Sequence, residues 1–351
     1  MLILLIFLNV ATLGFGGSLP VKSLITFEVS CPESLITATP DIPGPDDKAK
    51  IVILNIIIYI IKIIYFFMII WIASYPKSGN TWLRAFITSL LYKDKNLNSL
   101  DKLRQIHAYP LSKDFYNLLD TFENFKEISE NWEKSQSILN LDKKIKFLKT
   151  HHILCSINNN FFTTYKNSLG AIYVVRDPRN VITSLKHHYS LKNYDEALEF
   201  MLDKDRFSGK LDKKNNYTRE TEFPTYISNW NNHYKAWKNF KKNYLLIKYE
   251  DLMTNPKKKF KEIAKYLSKL LQIKIEDMDI EEAILKSSFQ NLKKSEEKFG
   301  FDEAPTDDIT NKKKRFFNLG PENEWQKNLP TNIRENIENS FKDEMKELNY
   351  L

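Results

Sequence analysis

The chain has 351 residues, 42% of them hydrophobic and 27% charged, so it is long enough to bury a large core. The formal net charge of +8 favours an anionic ligand, but the basic residues are spread along the chain without a nucleic-acid motif, and no nucleic-acid partner is expected. The two cysteines, Cys31 and Cys155, exclude a disulfide framework and fit a reducing compartment.

Residues 1–67 precede the first α/β pattern and admit three interpretations. Ile51–Phe67 could anchor the chain in a membrane, and a helix over residues 51–71 would make a single-pass protein. The run left before the first strand is shorter than the roughly 20 apolar residues that span a bilayer, and it contains Lys62. The apolar start of the chain could also be a signal peptide, although it lacks a basic residue. We favour a start at Met68, which makes residues 68–351 one cytoplasmic domain and residues 1–67 upstream sequence or a disordered extension.

Ile69–Ser74 is a β-branched, apolar run that predicts a strand covered on both faces. A turn follows, and residues from Asn80 onward have helical spacing. The turn therefore lies at a helix N-terminus, where unpaired N–H groups and the helix dipole bind anions. Gly79 lets the backbone approach a phosphate closely, and Lys77 adds a positive charge.

The order of residues in this turn distinguishes two kinds of phosphate loop. Triphosphate-binding loops place Lys after the last Gly and then Ser or Thr for magnesium, whereas Lys77 precedes Gly79, which argues against a nucleotide kinase-like enzyme. The string Tyr-Pro-Lys-Ser-Gly-x-Thr-Trp resembles the 5′-phosphosulfate loop of sulfotransferases that use 3′-phosphoadenosine 5′-phosphosulfate (PAPS). The resemblance extends from about Ile69 to Tyr350 and is to the compact, bacterial-type members.

The resemblance implies an α/β fold, a three-layer sandwich with a central parallel sheet and a P-loop-like phosphate-binding loop after the first strand. It implies an enzyme that moves the sulfuryl group of PAPS to an acceptor hydroxyl or amine without a metal. Lys77 would also stabilise charge on the leaving phosphate. The loop residues that it implies for binding the co-substrate are Lys77, Ser78, Gly79, Asn80, Thr81 and Trp82.

Ile145–His152 alternates in polarity like a short strand that finishes on histidine. Histidine titrates near neutral pH and suits removal of a proton from an attacking hydroxyl. The string Lys-Thr-His resembles the family's catalytic-base motif, which implies that His151 is the base. His152 is a rival, and only one of two adjacent strand residues can face a cleft. Together with Cys155 they could suggest a metal site, but no second ligand cluster accompanies them and none is expected.

Ala171–Val175 is another buried-strand run, and it leads into Arg176 and Pro178. Pro178 suits the first turn of a helix. Arg176 can form a fork to a phosphate, and Ser184, two helical turns further on, can donate its hydroxyl to the same group. The spacing of this Arg and Ser resembles the family's 3′-phosphate motif.

Ser190–Tyr226 is polar and charged with few strong patterns, so we expect helices and loops over the acceptor there. The stripe Trp230, Tyr234 and Trp237 recurs at helical spacing, which predicts core packing.

Tyr244–Leu252 predicts a fourth apolar strand with a polar exit, and Asn255-Pro256 forms a turn before a Lys-rich helix. The exit string Tyr-Glu-Asp resembles a family segment whose tyrosine lies beside the adenine, which implies that role for Tyr249. By the same resemblance Trp82 supplies a stacking face.

The C-terminal part departs from the family pattern Arg-Lys-Gly-x-x-Gly-Asp-Trp-Lys. Gly320 and Trp325 keep their spacing, but Asn318 and Leu319 occupy the Arg-Lys positions that help to clamp the 3′-phosphate. Of the basic run just upstream, residues 312–314 are expected to form a solvated face, and Arg315 is the candidate to compensate.

The predicted function is PAPS-dependent sulfuryl transfer, with two alternatives. One is a membrane-anchored carbohydrate or lipid sulfotransferase, if Ile51–Phe67 spans a bilayer. The other is an inactive homologue that binds PAPS or 3′-phosphoadenosine 5′-phosphate (PAP), because Asn318 and Leu319 weaken the clamp. The sequence indicates neither the acceptor nor the oligomeric state.

Overall fold

The computed structural model describes residues 69–93, 97–115, 118, 124–142, 144–209, 223–307 and 311–351. The predictions for the N-terminal extension, for Ile51–Phe67 and for a start at Met68 fall outside these residues. Within the described ranges, no helix combines the length and apolar character that a membrane crossing requires.

The described ranges contain eight strands and thirteen α-helices. The strands are β1 (Ile69–Ser74), β2 (Lys146–Thr150), β3 (Ser156–Ile157), β4 (Asn160–Phe161), β5 (Ser168–Val175), β6 (Phe207–Ser208), β7 (Thr225–Tyr226) and β8 (Tyr244–Lys248). The helices are α1 (Asn80–Leu91), α2 (Phe125–Glu130), α3 (Trp132–Leu139), α4 (Pro178–His188), α5 (Tyr194–Leu202), α6 (Trp230–Lys238), α7 (Tyr249–Thr254), α8 (Pro256–Leu271), α9 (Asp277–Lys286), α10 (Phe289–Phe299), α11 (Trp325–Asn328), α12 (Thr331–Ser340) and α13 (Lys342–Glu347).

Four parallel strands form the central sheet in the order β2-β1-β5-β8. Every residue of β1 and β5 is buried, which confirms strands covered on both faces. Side chains alternate between two core clusters: Trp71 and Tyr173 pack on one face, and Ile70 and Ile172 pack on the other.

Helices cover both faces of this sheet. On the first face, the aromatic stripe of α6 is buried with α3 and α4, which confirms the prediction that Trp230, Tyr234 and Trp237 are core. On the second face, α1, α8 and α9 bury residues such as Phe86 and Phe260, whose rings stack with centres 4.2 Å apart. The result is the predicted three-layer α/β sandwich.

Parallel strands bring their carboxyl ends to one edge, where open α/β sheets bind ligands. The residues that directly follow the four sheet strands are Tyr75, His151, Arg176 and Tyr249. Two boundaries differ from the expectation: β2 ends at Thr150, so both histidines lie in the loop after it, and the polar exit of β8 turns into helix α7 at Tyr249.

Candidate active site

A cavity of about 420 Å³ lies at this edge of the sheet, within the size range of small-molecule sites. Ser78 is fully buried within the loop that forms one wall, and Arg315 is not among the lining residues. The predicted site residues that line the cavity are Lys77, Gly79, Asn80, Thr81, Trp82, His151, Arg176, Ser184, Tyr249 and Gly320.

The loop after β1 has the backbone geometry of an anion-binding turn. Lys77 has a φ of 64° and Gly79 a φ of 107°, both in the left-handed region. A Cβ at Gly79 would lie 2.5 Å from the ring of Tyr249, so only glycine fits. The side chain of Asn80 donates to the carbonyl of Ile72 at 3.0 Å and ties α1 to β1. The first N–H groups of α1 have no acceptor within the helix and suit an anion.

Several polar atoms around this loop are buried without a partner among the described residues. They include the hydroxyl of Ser78, Nε of Arg176, the indole N–H of Trp82 and Oδ1 of Asn80. Unpaired buried groups are rare because each costs about 1–3 kcal/mol. The first three can donate hydrogen bonds, which is what a phosphorylated nucleotide needs, whereas Oδ1 of Asn80 can only accept one.

Lys77 is buried, with its ammonium between an imidazole and an aromatic ring. Its Nζ lies 3.4 Å from Nδ1 of His188 and 3.9 Å from the centre of the Phe316 ring. Burial, followed by repulsion from Lys149 and Arg176, lowers the pKa of Lys77 to about 7. A bound anion would favour the protonated ammonium, so Lys77 is poised to gain a proton with its ligand.

The structure brings Arg176 and Ser184 together. Nη1 of Arg176 donates to Oγ of Ser184 at 3.3 Å and to the carbonyl of Lys77 at 3.2 Å. Pro178 occupies the first turn of α4, as the Asp-Pro string predicts. Asn323, from the degraded C-terminal motif, also donates to Oγ of Ser184 at 3.1 Å.

Two aromatic rings line the same part of the cavity. Trp82 and Tyr249 meet edge to face with centres 5.6 Å apart. The guanidinium of Arg176 lies 4.2 Å from the centre of the Tyr249 ring. These rings provide the apolar surface that a nucleotide base requires next to its phosphate contacts.

His151 has a defined tautomer. Its Nδ1 lies 2.7 Å from the carbonyl oxygen of Ser74, and because a carbonyl only accepts, Nδ1 carries the proton and Nε2 the lone pair. Burial and repulsion from Lys149 hold the pKa of His151 well below its ordinary value of 6.5, so the ring is neutral at pH 7. An oriented, neutral imidazole in a cavity has the properties of a general base.

His152 has a different environment. It is fully buried, stacks on Phe162 with ring centres 4.2 Å apart, and donates from Nδ1 to the carbonyl of Ile153 at 2.7 Å. It is not among the residues that line the cavity. The geometry therefore favours His151 as the base.

Two side chains of α6 hold the backbone beneath these histidines. Nε2 of His233 donates to the carbonyl of His151 at 3.1 Å, and the indole of Trp237 donates to the carbonyl of His152 at 2.9 Å. The hydroxyl of Tyr173 lies 2.8 Å from Nδ1 of His233 and fixes its tautomer. The sequence reasoning missed His233, although the aromatic stripe of the same helix marked α6 as core.

A charged cluster in the cavity wall was also missed. Glu303 is the sole acid among the described residues that line the cavity, and its two oxygens lie 2.7 Å from Nη1 of Arg84 and 3.1 Å from Nζ of Lys149. Burial opposes ionisation of Glu303, but Lys149 and Arg84 outweigh it and lower its pKa to about 2. Lys149 also lines the cavity, two residues before His151.

The C-terminal segment covers part of the cavity without a basic clamp. Asn318 and Leu319 line it, and Gly320, at a φ of 54°, has the Phe289 ring 2.3 Å from where a Cβ would lie. Arg315 is 65% exposed in its side chain and pairs with Glu297 at 3.7 Å. Its guanidinium thus lies outside the lining of the cavity.

Further lining residues come from the segment before β2, from the end of α4 and from the residues around β6 and β7. They are mainly apolar or aromatic, with two histidines among them. This part of the lining comprises Ala108, Tyr109, Pro110, Leu111, His187, His188, Tyr189, Ser208, Phe223 and Thr225. Part of the region expected over the acceptor, residues 210–222, lies outside the described residues.

The described residues include no group of three or more His, Cys, Asp or Glu side chains arranged to hold a metal ion. Cys155, considered with the two histidines as a possible ligand, is a free thiol, and burial raises its pKa to about 12.

Comparisons with known proteins agree on one family. A family model described as a sulfotransferase domain matches residues 69–349. Cytosolic sulfotransferase 7 of Arabidopsis thaliana is 28% identical over 227 residues, which is 64% of this chain and 64% of that protein, just under two thirds of its length. Sulfotransferase 1B1 of Canis lupus familiaris is 24% identical over 282 residues, 78% of this chain and 82% of that protein.

The solved structure of mouse sulfotransferase SULT7A1 complexed with PAP shares the fold of this chain, with a TM-score of 0.50 at 20% identity. The alignment covers 79% of this chain and 84% of that chain.

Proposed function

We propose that this chain, which belongs to the sulfotransferase family, is a PAPS-dependent sulfotransferase, and we assign the residues that carry its reaction and the kind of acceptor it serves. In this proposal the cavity holds PAPS along the sheet edge and an uncharged, mainly apolar acceptor with a hydroxyl or amine next to it.

Three groups of residues would hold the co-substrate. Lys77 and the N-terminus of α1 suit the 5′-phosphosulfate, Arg176 with Ser184 suits the 3′-phosphate, and Trp82 with Tyr249 suits the adenine. The buried donors of Ser78 and Arg176 that lack a partner among the described residues support this assignment. PAPS supplies an activated sulfuryl group whose leaving group is the 5′-phosphate of PAP.

His151 would act as the base. Its Nε2 accepts the proton of the acceptor hydroxyl or amine while the acceptor atom bonds to sulfur and the bond from sulfur to the phosphate oxygen breaks. The hydrogen bond from Nδ1 to the Ser74 carbonyl keeps the ring oriented through this transfer. Lys77 and Lys149 place positive charge where negative charge increases, an effect that is commonly a large part of catalysis.

The acceptor class follows from the rest of the lining. Tyr109, Leu111 and Phe223 offer apolar surface, and Ser208 and Thr225 offer neutral hydrogen-bonding groups. Because none of these five residues is charged, a charged acceptor would lose hydration against them without gaining a counter-ion from them. An apolar alcohol, phenol or amine therefore fits this wall better than a charged sugar chain does.

The observation that carries the proposal is the meeting of three features in one cavity: the fixed tautomer of His151, the ammonium of Lys77 and the contact between Arg176 and Ser184. Calorimetry with PAP should show binding, and transfer of labelled sulfate from PAPS should be detected in a panel of phenols, apolar alcohols and amines. Absence of PAP binding would contradict the assignment of the co-substrate site. Binding of PAP without transfer to any member of the panel would instead support the inactive-homologue alternative.

A further inference from the structure

Glu303 is an acid in a cavity that is otherwise built for anions. A carboxylate in such a place would weaken nucleotide binding unless its charge were compensated. Both of its oxygens are paired, one with Arg84 and the other with Lys149. The cluster of Arg84, Lys149 and Glu303 therefore carries a net positive charge. Because an acid does not attract a nucleotide, Glu303 must have a role other than binding it.

The backbone of Lys149 is fixed independently of Glu303. Its N–H donates to the carbonyl of His107 at 2.9 Å, and its carbonyl accepts from the N–H of Tyr109 at 2.8 Å. These backbone bonds do not determine the direction of the long, flexible side chain of Lys149. Its Nζ is 3.1 Å from Glu303, and the side chain is only 15% exposed.

Arg84 holds the carboxylate from the opposite side. It is buried on α1, and its Nη2 donates to the carbonyl of Leu103 at 3.1 Å while Nη1 donates to Glu303 at 2.7 Å. This arrangement makes the guanidinium a rigid support. Without the acid between them, Arg84 and Lys149 would be two buried cations with no compensating charge in the cluster.

We propose that Glu303 is a positioning residue for catalysis: bridged to Arg84, it holds the ammonium of Lys149 at the cavity wall beside His151. This inference rests on the proposed function, because it gives Lys149 a part in sulfuryl transfer. Glu303 itself does not need to touch either substrate.

The charges around Lys149 give the proposal a measurable signature. Burial lowers the pKa of Lys149, Glu303 raises it, and Arg84 lowers it. Loss of Glu303 therefore makes Lys149 release its proton at a lower pH, and loss of Arg84 makes it release its proton at a higher pH. The titratable and charged groups that face Lys149 from the surrounding elements are Glu303, Arg84, Lys77, His151 and His188.

The test compares three variants of the full chain by the pH dependence of kcat for sulfate transfer. In Glu303→Gln, the fall of kcat at alkaline pH (the alkaline limb of the profile) should begin at a lower pH than in wild type. At pH 9 kcat should be about tenfold below wild type, which is the effect of weakening one charged hydrogen bond. In Arg84→Met the limb should move to higher pH. Asp302→Asn is the matched control, because it removes the same charge from the adjacent residue. The side chain of Asp302 is 77% exposed and pairs with the exposed Arg104. The pH profile of this variant should equal that of wild type.

A purely structural role for Glu303 would change kcat without shifting the limb, and this result would overturn the proposal. Equal shifts in Glu303→Gln and Asp302→Asn would also overturn it, because they would reflect net charge alone. These two variants decide the question even if Arg84→Met does not fold. Absence of transfer by wild type would count against the proposed function itself, and the pH dependence of PAP affinity in the same variants would still report whether Glu303 controls the charge of Lys149.

Discussion

The cavity has two walls of different construction. The sheet-edge wall comprises residues that lie at or shortly after the ends of sheet strands, among them Lys77, His151 and Arg176. The C-terminal wall, which comprises the described residues within 303–320, contains no strand of the sheet, and its lining residues include Glu303 and Phe316. Parallel strands fix the first wall through local sequence, whereas the second wall is placed only by contacts with distant parts of the chain. The sequence motifs that resemble the family therefore lie in the first wall, and the departures from the family pattern, Asn318 and Leu319, lie in the second.

The largest expected effect lies in the sheet-edge wall. His151→Ala should lower kcat for sulfate transfer by about 10²–10⁴, because it removes the only imidazole lone pair whose orientation is fixed by the Ser74 carbonyl. The measurement is transfer of labelled sulfate at pH 7, with PAP affinity determined in parallel to show that the co-substrate site remains intact.

His152→Ala is the matched control for this prediction. His152 packs between aromatic rings away from the lining, so its loss should lower the free energy of unfolding by roughly 3 kcal/mol and leave kcat of the folded enzyme near wild type. A folded His152→Ala protein with the larger catalytic defect would reverse the assignment of the base.

The second prediction contrasts Arg176, which lines the cavity, with Arg315, which lies outside the lining. Arg176→Ala should weaken PAP binding about 100-fold, because charge-assisted hydrogen bonds to phosphate contribute roughly 1.5–3 kcal/mol. Arg315→Ala should change affinity by less than about fivefold, the range of an exposed ion pair. Calorimetry with PAP measures both, and an equally large loss in Arg315→Ala would show that its guanidinium reaches the ligand and that the contrast between the walls fails there.

The sheet-edge wall could be predicted because each of its residues lies within a few positions of a strand end. The apolar runs at Ile69, Ala171 and Tyr244 predicted three strands of the sheet, and the Asp-Pro string predicted the start of α4. Once parallel strands are assumed, their carboxyl ends meet, and local spacing alone brings Arg176 to Ser184.

The C-terminal wall could not be predicted in the same way. Glu303 is separated by 219 positions from Arg84 and by 154 from Lys149, and no local periodicity encodes such a bridge. The expectation that Arg315 would compensate for Asn318 and Leu319 used proximity in sequence, and it stays a prediction, because its guanidinium pairs with Glu297 outside the cavity lining. The support of His151 by His233 depends in the same way on a contact between a loop and a distant helix.

The third prediction adds charge to the weaker wall. The double variant Asn318→Arg, Leu319→Lys should bind PAP about tenfold more tightly, since both positions line the cavity and a basic pair there would meet the phosphates. The added charge should also make affinity fall more steeply with salt. The uncharged pair Asn318→Gln, Leu319→Met is the control. No gain in the basic variant would show that this wall does not reach the nucleotide.

The smallest expected effect is the uptake of a single proton and belongs to the sheet-edge wall. Because burial and neighbouring cations lower the pKa of Lys77 to about 7, most of the free protein carries a neutral Lys77 at pH 8. A bound phosphate raises that pKa, so PAP binding at pH 8 should take up close to one proton, and affinity should fall as pH rises above 7. Calorimetry in buffers of different ionisation enthalpy counts the protons. Uptake should vanish in Lys77→Met and persist in the control Lys312→Met, whose side chain belongs to an exposed residue. Equal proton uptake in Lys77→Met would assign the proton to another group such as Lys149. The charge that responds to the nucleotide would then belong to the ion pair between Lys149 and Glu303, which joins the two walls.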